Sequence, residues 1–291
     1  MPPTENRTAG ILWMLATMVG FIALDAMMKY SLQTYSLVEV TWARFFFASI
    51  LAALVCGKNL PKLAVSHMPK VQLLRSVFLM TTTGLFNAGI KTVPLATGTT
   101  IMFMSPILVT LLSIFLLGEH VGIRRWVSIV VGFIGALIVM RVWDTGLQGL
   151  NNGALFLLAA ALTNASYQIT TRKLRNDSPY TSLLFTAAAG AIVTSIILPW
   201  HWTMPDATGW MLLVGSGIIG CLSHLCLINA LQSAPASVVA PFSYSSIIWA
   251  TSMGFIVWGD VPQASTLLGA ALIIGSGLYI FLREKTLAKA N

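Results

Sequence analysis

The chain has 291 residues, 56% of them hydrophobic and 9% charged, against roughly 25% charged in an ordinary soluble domain. Its mean hydropathy is +0.81. These figures exclude a disordered chain, a nucleic-acid binder and a conventional cytosolic enzyme. The formal net charge of +8 does not reverse this, because the basic residues stand between long apolar runs and form no cluster on a polar face.

In chain order, apolar runs long enough to cross a hydrocarbon core about 30 Å thick lie near 9–28, 38–57, 71–91, 95–117, 125–141, 153–171, 180–199, 210–230, 237–258 and 264–282. They predict an all-α integral membrane protein with ten transmembrane helices, because a helix satisfies its own backbone hydrogen bonds in lipid. The short segments of alternating polarity that a barrel would show are absent. Proline and glycine mark the breaks: Gly57 to Lys62, Thr92-Val93-Pro94, Asn176 to Pro179 and Ala234-Pro235-Ala236. The first run is full length with no small-residue cleavage site after it, so it reads as a span and not as a removed signal. Cys56, Cys221 and Cys226 all fall inside apolar runs and read as free thiols packed as small hydrophobes.

Lys and Arg collect on the cytoplasmic side of short-looped membrane proteins. With the amino terminus inside, thirteen basic residues fall on the inner side, from Arg7 and Lys58 through Arg75, Arg124 and Arg125 to Lys289. Only Lys29, Lys91 and Arg141 fall outside, and Arg44 lies within a span. Both termini are therefore expected in the cytoplasm.

Sliding the sequence by 141 residues lays Pro94-Leu95 on Pro235-Ala236 and Gly118-Glu119 on Gly259-Asp260. Glycines space the following helix in each half: Gly132 and Gly135, then Gly269, Gly275 and Gly277. Five spans per half place the halves in opposite senses, an arrangement suited to opening towards either side.

Pro94-Leu95-Ala96, Pro106 and Gly118-Glu119 with the glycine-spaced fifth span resemble the first EamA repeat of the drug/metabolite transporter superfamily. Pro241-Phe242-Ser243-Tyr244 through Trp249 and Gly259-Asp260 resemble the second. Asp25 to Tyr30 and Trp42-Ala43-Arg44-Phe45-Phe46 resemble the opening helices of a bacterial branch. The chain departs from the pattern with Asp260 in place of a glutamate and Ile247 where the first half has Pro106. The resemblance implies two inverted five-helix EamA repeats, 9–141 and 153–282, in a multi-pass protein of the bacterial inner membrane that moves small organic metabolites.

A charge at the centre of a bilayer costs roughly 3 kcal/mol on the mild insertion scale, so the few charges inside spans carry the most information. Asp25 is either paired with Lys29 one turn on or a substrate or proton site. Arg44, flanked by Trp42 and Phe45, could bridge to Asp25 or Glu39, or hold a substrate carboxylate, phosphate or carbonyl with its guanidinium fork. His224, deep in its span near Asn229, is expected to make an interhelical hydrogen bond, with proton coupling or substrate contact as its other role. Asn87, Asn164, Tyr167, Gln168 and Tyr244 supply polar groups inside spans, and Trp42 and Trp249 supply stacking faces. Glu119 reads as a structural cap for Arg124 or Arg125. Small residues at Ala159–Ala161 and Ala187–Gly190 allow close helix approach, and Pro106 and Pro241 are expected to loosen helices beside a central cavity.

No catalytic residues, cofactor or metal site are expected. Ser216 with His224 does not make a nucleophile motif, and Asp25 and Asp260 do not form a buried acid pair, which argues against an intramembrane enzyme. Without a phosphate-binding loop, transport would be secondary, by alternating access, with proton or counter-substrate coupling. The cavity residues expected from sequence are Arg44, Asp25, Trp42, Asn87, Tyr167, Gln168, His224, Tyr244 and Trp249. The expected activity is export of an amino-acid-like or metallophore-type compound, with uptake of riboflavin or a nucleoside-type metabolite such as S-adenosylmethionine as the alternative. The expected partners are that small metabolite and membrane lipid.

Overall fold

The computed structural model describes residues 6–117, 123–140, 152–174, 177–234 and 239–290. Side chains that accept backbone N–H groups start several helices. α1 (Arg7–Ser31) begins where Asn6 Oδ1 accepts the Ala9 N–H at 3.0 Å. α2 (Leu37–Cys56) begins where Ser36 Oγ accepts from Glu39 at 3.1 Å. A turn at Gly57–Asn59 and the short α3 (Leu60–Leu63) lead to α4 (Pro69–Ile90). Then come α5 (Leu95–Met102), α6 (Met104–Leu117) and α7 (Ile123–Val139). The second half holds α8 (Asn152–Lys173), α9 (Pro179–Ile197) and α10 (Ala207–Ser233). A 3-10 stretch Ala240–Ser245, α11 (Ser246–Trp258) and α12 (Ala264–Ala290) follow. The described residues contain no strand.

Two expected spans are not single helices. The run 95–117 breaks at Phe103, between α5 and α6. Pro106 has no N–H to donate to the Met102 carbonyl, and its ring crowds that carbonyl. Within the run 237–258, Ala240–Ser245 is a 3-10 stretch that contains Pro241. Among the described residues, four helical stretches meet the requirement for crossing a membrane by length and apolarity: Arg7–Ser31, Leu37–Leu63, Pro179–Trp200 and Ala207–Ser233. Shorter apolar helices cover Leu95–Val109, Trp126–Val139 and Ala264–Tyr279. α4 and α8 are 22 residues each, but polar side chains such as Gln72, Arg75, Asn164 and Gln168 dilute their apolarity.

The distribution of polarity is inverted relative to a water-soluble protein. Glu39, Gln72, Arg75 and Asn87 are buried, while Leu54, Ile192, Ile256 and Leu268 are exposed on outer helix faces. That arrangement fits a lipid solvent, which rewards no burial of Leu over Leu and penalises any polar group left unpaired.

The helices pair across the two halves. α1 packs on α10 and α4 on α8, while α2 meets α9, α5 meets α11 and α7 meets α12. Under the 141-residue shift α1 corresponds to α8, α4 to α10, α2 to α9 and α7 to α12, while α11 corresponds to α6, so that α5–α11 joins parts of the two corresponding runs 95–117 and 237–258. The contact between α1 and α10 is thus the counterpart of that between α8 and α4. Close approach depends on glycine: a Cβ on Gly135 would lie 3.0 Å from the Gly269 carbonyl, and one on Gly269 2.6 Å from the Gly135 carbonyl. The Asn6 N–H donates to the Ser233 carbonyl at 3.0 Å, which ties the start of the chain to the end of α10. The three cysteines are free. Gly118-Glu119, Pro235-Ala236, Arg141 and the side chains of Arg124, Arg125, Pro241 and the last basic residues lie outside the described residues.

Candidate functional site

A cavity of about 460 Å³ opens between α2, α4, α8, α9 and α10. Arg44, Arg75, Tyr167 and His224 line its depth, and Leu174, Asp177 and Gln232 line its mouth. The mouth lies at the end of the bundle where the chain begins.

Arg75 sits a turn and a half into α4 and is 5% exposed. Its Nε donates to Thr171 Oγ1 at 2.8 Å, and its Nη1 to the Ser182 carbonyl at 3.1 Å and Thr186 Oγ1 at 2.8 Å. Its Nη2 donates to the Tyr167 hydroxyl at 2.7 Å. The guanidinium also lies 4.5 Å from the Tyr167 ring centre, a cation–π distance. A buried cation has to be paired or fully hydrogen-bonded, and neutral oxygens of the second half perform that role here. Arg44 is half-buried and makes one long contact, Nη1 to Met28 Sδ at 3.8 Å. Among the described residues no acid lies within ion-pair distance of either arginine. Asp25 interacts with Arg44 through charge at longer range.

The mouth is fastened by Asp177, which follows the end of α8. It accepts from Ser66 Oγ, from the His67 N–H at 3.0 Å and from Gln72 Nε2 at 3.0 Å. Burial would raise this carboxyl, but those hydrogen bonds and the charge of the His67 ring outweigh it and hold Asp177 below the usual carboxylate range. The opposite end is closed by Lys29. Its Nζ donates to the Val93 carbonyl at 2.8 Å, lies 3.7 Å from Asp260 Oδ2 and sits 4.9 Å from the Trp258 ring centre. Gly259, at φ +70°, turns the chain so that Asp260 follows α11 into that position.

Of the nine cavity residues expected from sequence, Arg44, Tyr167 and His224 line the cavity. Asp25 stands behind Arg44 on α1, and the expected Asp25–Lys29 pair is replaced by Lys29–Asp260. The alternative bridge from Arg44 to Glu39 fails as well, since Glu39 Oε2 accepts from the Thr203 N–H at 3.2 Å at the rim of α2. Trp42 is packing: its Nε1 donates to Ser195 Oγ at 2.9 Å, and its ring stacks on Phe46 at 4.8 Å. Asn87 donates to Thr41 Oγ1 at 3.1 Å and joins α4 to α2. Gln168 donates to Asn164 Oδ1 at 2.8 Å, which also accepts from Ser105 Oγ at 2.9 Å, and together they fasten α8 to α6. Tyr244 packs edge-on against Phe103 at 5.1 Å, and Trp249 is exposed on the surface of α11. None of these five or Asp25 lines the cavity. Pro106 also lies away from it. Among the described residues His224 makes no interhelical hydrogen bond of the kind expected; its ring meets Phe21 edge-on at 4.9 Å.

Sequence reasoning missed Arg75, which it assigned to the inner flank as an orientation charge. The available indication was its position inside the third apolar run, among Leu73, Leu74, Val77 and Phe78. Asp177 was missed because a carboxylate beside Ser178-Pro179 reads as loop chemistry.

Lipid-suited outer faces, two structurally related halves and a cavity lined by the guanidiniums of Arg44 and Arg75 define a helical membrane protein built to hold a small molecule. The chain belongs to the EamA-like transporter family, whose model matches residues 8–141 and 151–282. The S-adenosylmethionine uptake transporter of Rickettsia felis is 30% identical over 285 residues, 97% of this chain and 95% of that protein. The riboflavin transporter of Vibrio cholerae is 30% identical over 279 residues, 93% and 92% of the two chains. The pseudopaline exporter CntI of Pseudomonas aeruginosa is 25% identical over 268 residues, 91% and 93%. A solved crystal structure at 18% identity has the same fold, with a TM-score of 0.65 over 94% of this chain and 96% of that one. The protein is therefore a small-molecule transporter of the drug/metabolite type, a multi-pass protein of the bacterial inner membrane. Family and relatives alike point to transport and away from catalysis.

Proposed function

We propose that this chain is a secondary transporter that carries an amino-acid-bearing metabolite by alternating access across ten spans with both termini cytoplasmic. The observation that carries this reading is the cavity itself, which extends from Arg44 and His224 to Asp177 and Gln232, while Lys29 fastens the opposite end of the bundle. In the orientation expected from the basic residues, the Asp177 end faces the cytoplasm. Arg44, Tyr167 and His224 are the proposed substrate contacts, and Asp25 the counter-charge behind Arg44. The proposed substrate class is an adenosyl amino acid. The S-adenosylmethionine uptake transporters of Rickettsia support it at 29–30% identity over nearly the whole chain, and a cavity rich in guanidinium suits a carboxylate. Net uptake by exchange is the direction we propose in place of the export expected from sequence. The pseudopaline exporter keeps export of a metallophore-type compound as the second reading.

Counterflow tests the proposal. Proteoliposomes preloaded with unlabelled S-adenosylmethionine are expected to accumulate external labelled S-adenosylmethionine transiently and saturably, and Arg44→Ala is expected to abolish it. Flux linear in concentration would remove the carrier mechanism, and normal transport by both Arg44→Ala and Asp25→Ala would remove the site.

A further inference from the structure

The hydroxyl hydrogens around Arg75 can be followed one at a time. Thr171 Oγ1 accepts from Arg75 and sends its own hydrogen to the Tyr167 carbonyl at 2.7 Å. Thr186 Oγ1 accepts from Arg75 and sends its hydrogen to the Ser182 carbonyl at 2.8 Å. Tyr167 Oη also accepts from Arg75, yet among the described residues nothing takes its hydrogen. A phenol that accepts from a guanidinium is polarised as a donor, and this one lines the cavity together with Arg44. The Arg44 fork has four of its five N–H groups without a described partner, its one bond being the long contact to Met28 Sδ. Asp25 offsets one of the two guanidinium charges at a distance, and Asp177 is engaged by its own donors at the mouth. These donors suit one planar acceptor with a single negative charge, the species a guanidinium fork matches best.

We infer that Arg44 and the Tyr167 hydroxyl, held in place by Arg75, form a subsite for the carboxylate of the transported metabolite, an inference that rests on the transporter reading above. Arg44 and Tyr167 are the contacts. Arg75 is a positioning residue: its four hydrogen bonds all go to the second half, and one of them fixes the tyrosine. Because its four partners lie on α8 and α9, the subsite exists only while α4 is seated against both helices.

The test compares acids with amines that lack only the carboxylate: S-adenosylmethionine with its decarboxylated counterpart, and methionine with 3-methylthiopropylamine. Thermal stabilisation of the purified full-length protein in nanodiscs is read against concentration. In the wild type each acid is expected to act at about tenfold lower concentration than its amine. Tyr167→Phe keeps the ring under Arg75 and is expected, like Arg44→Gln, to shrink that ratio to under about threefold by weakening the response to the acid more than the response to the amine. Arg75→Lys should shrink it as well, which a merely structural role would not do. Equal potency of acid and amine in the wild type, or no stabilisation by any member of either pair, would overturn the subsite. Riboflavin phosphate acting far below riboflavin, with no gap between acid and amine, would also overturn it and reassign the arginines to phosphate. The same compounds in proteoliposomes separate the two levels: a gap in binding without transport keeps the subsite and removes the carrier reading.

Discussion

Arg75 donates four hydrogen bonds to neutral oxygens, and every one of those oxygens belongs to the second half of the chain. Its replacement by methionine keeps much of the volume and removes all four, so Arg75→Met is expected to cost about 3 kcal/mol in thermal stability in nanodiscs. Asp177 gives a milder prediction with a definite pH dependence. Its carboxyl is held below the usual range in the fold, so its stabilisation is complete above the unfolded-state value near ~4 and is lost only as pH falls through the lower folded value. Asp177→Asn is expected to destabilise by roughly 1 kcal/mol at pH 7, since water reaches the carboxylate, and the difference from wild type should close only in acid below the ordinary carboxylate range. A difference that instead closed between pH 5 and 7 would contradict the hydrogen-bond assignment. Trp249 tests the opposite kind of residue. Exposed on α11 and away from the cavity, it should tolerate Trp249→Ala with substrate KM unchanged. Sequence could see Arg44 and His224 because a lone charge or imidazole in an apolar run is conspicuous. It could not separate Tyr167 from Trp42, because both are aromatics inside spans and only the fold decides which faces the cavity.

At the scale of helices, the contacts between halves are set by glycine. A Cβ on Gly217 would overlap Phe47 and lie 3.0 Å from the Ala48 backbone nitrogen, so α10 can approach α2 only where that side chain is absent. Backbone cannot yield as a flexible side chain can, and Gly217→Ala is expected to destabilise by about 2 kcal/mol, read as a lower thermal midpoint. The paired glycines Gly135 and Gly269, where carbonyl meets Cα between α7 and α12, should respond in the same way, with Gly269→Val worse than Gly269→Ala because Val139 already fills the space beyond. These positions were legible in part: the spaced glycines mark the fifth and last spans, and Ala187 to Gly190 marks the face that meets Phe45. The break at Phe103 was not, since a proline in an apolar run of helical length indicates a disturbance without saying whether the helix bends or stops. Nor was the Lys29–Asp260 contact, because it joins residues more than two hundred positions apart, and Asp25 offered a local partner one turn away.

The whole molecule pairs its helices across the two halves, with α1–α10 the counterpart of α8–α4, and that relation underlies the proposed alternation. At present one end is open to Arg44 while the other is fastened. Besides Lys29, Thr97 Oγ1 of α5 and Thr266 Oγ1 of α12 lie 3.5 Å apart there, near the start of their helices and on opposite halves. That proximity makes the pair the place to engineer a disulfide, whose β-carbons stand about 3.5–4.5 Å apart. Thr97→Cys with Thr266→Cys, in a background whose three native cysteines are replaced by alanine, should therefore form an oxidised bridge that locks the fastened end. If transport requires that end to part, the oxidised protein should lose counterflow and regain it on reduction, while substrate still stabilises it to the same degree, because the cavity between α2, α4, α8, α9 and α10 is reached from the other end. The single-cysteine variants, unable to bridge, should transport normally under both conditions. Full counterflow by the bridged protein would mean that α5 and α12 stay together throughout the cycle, and that the two halves do not exchange conformations about this contact.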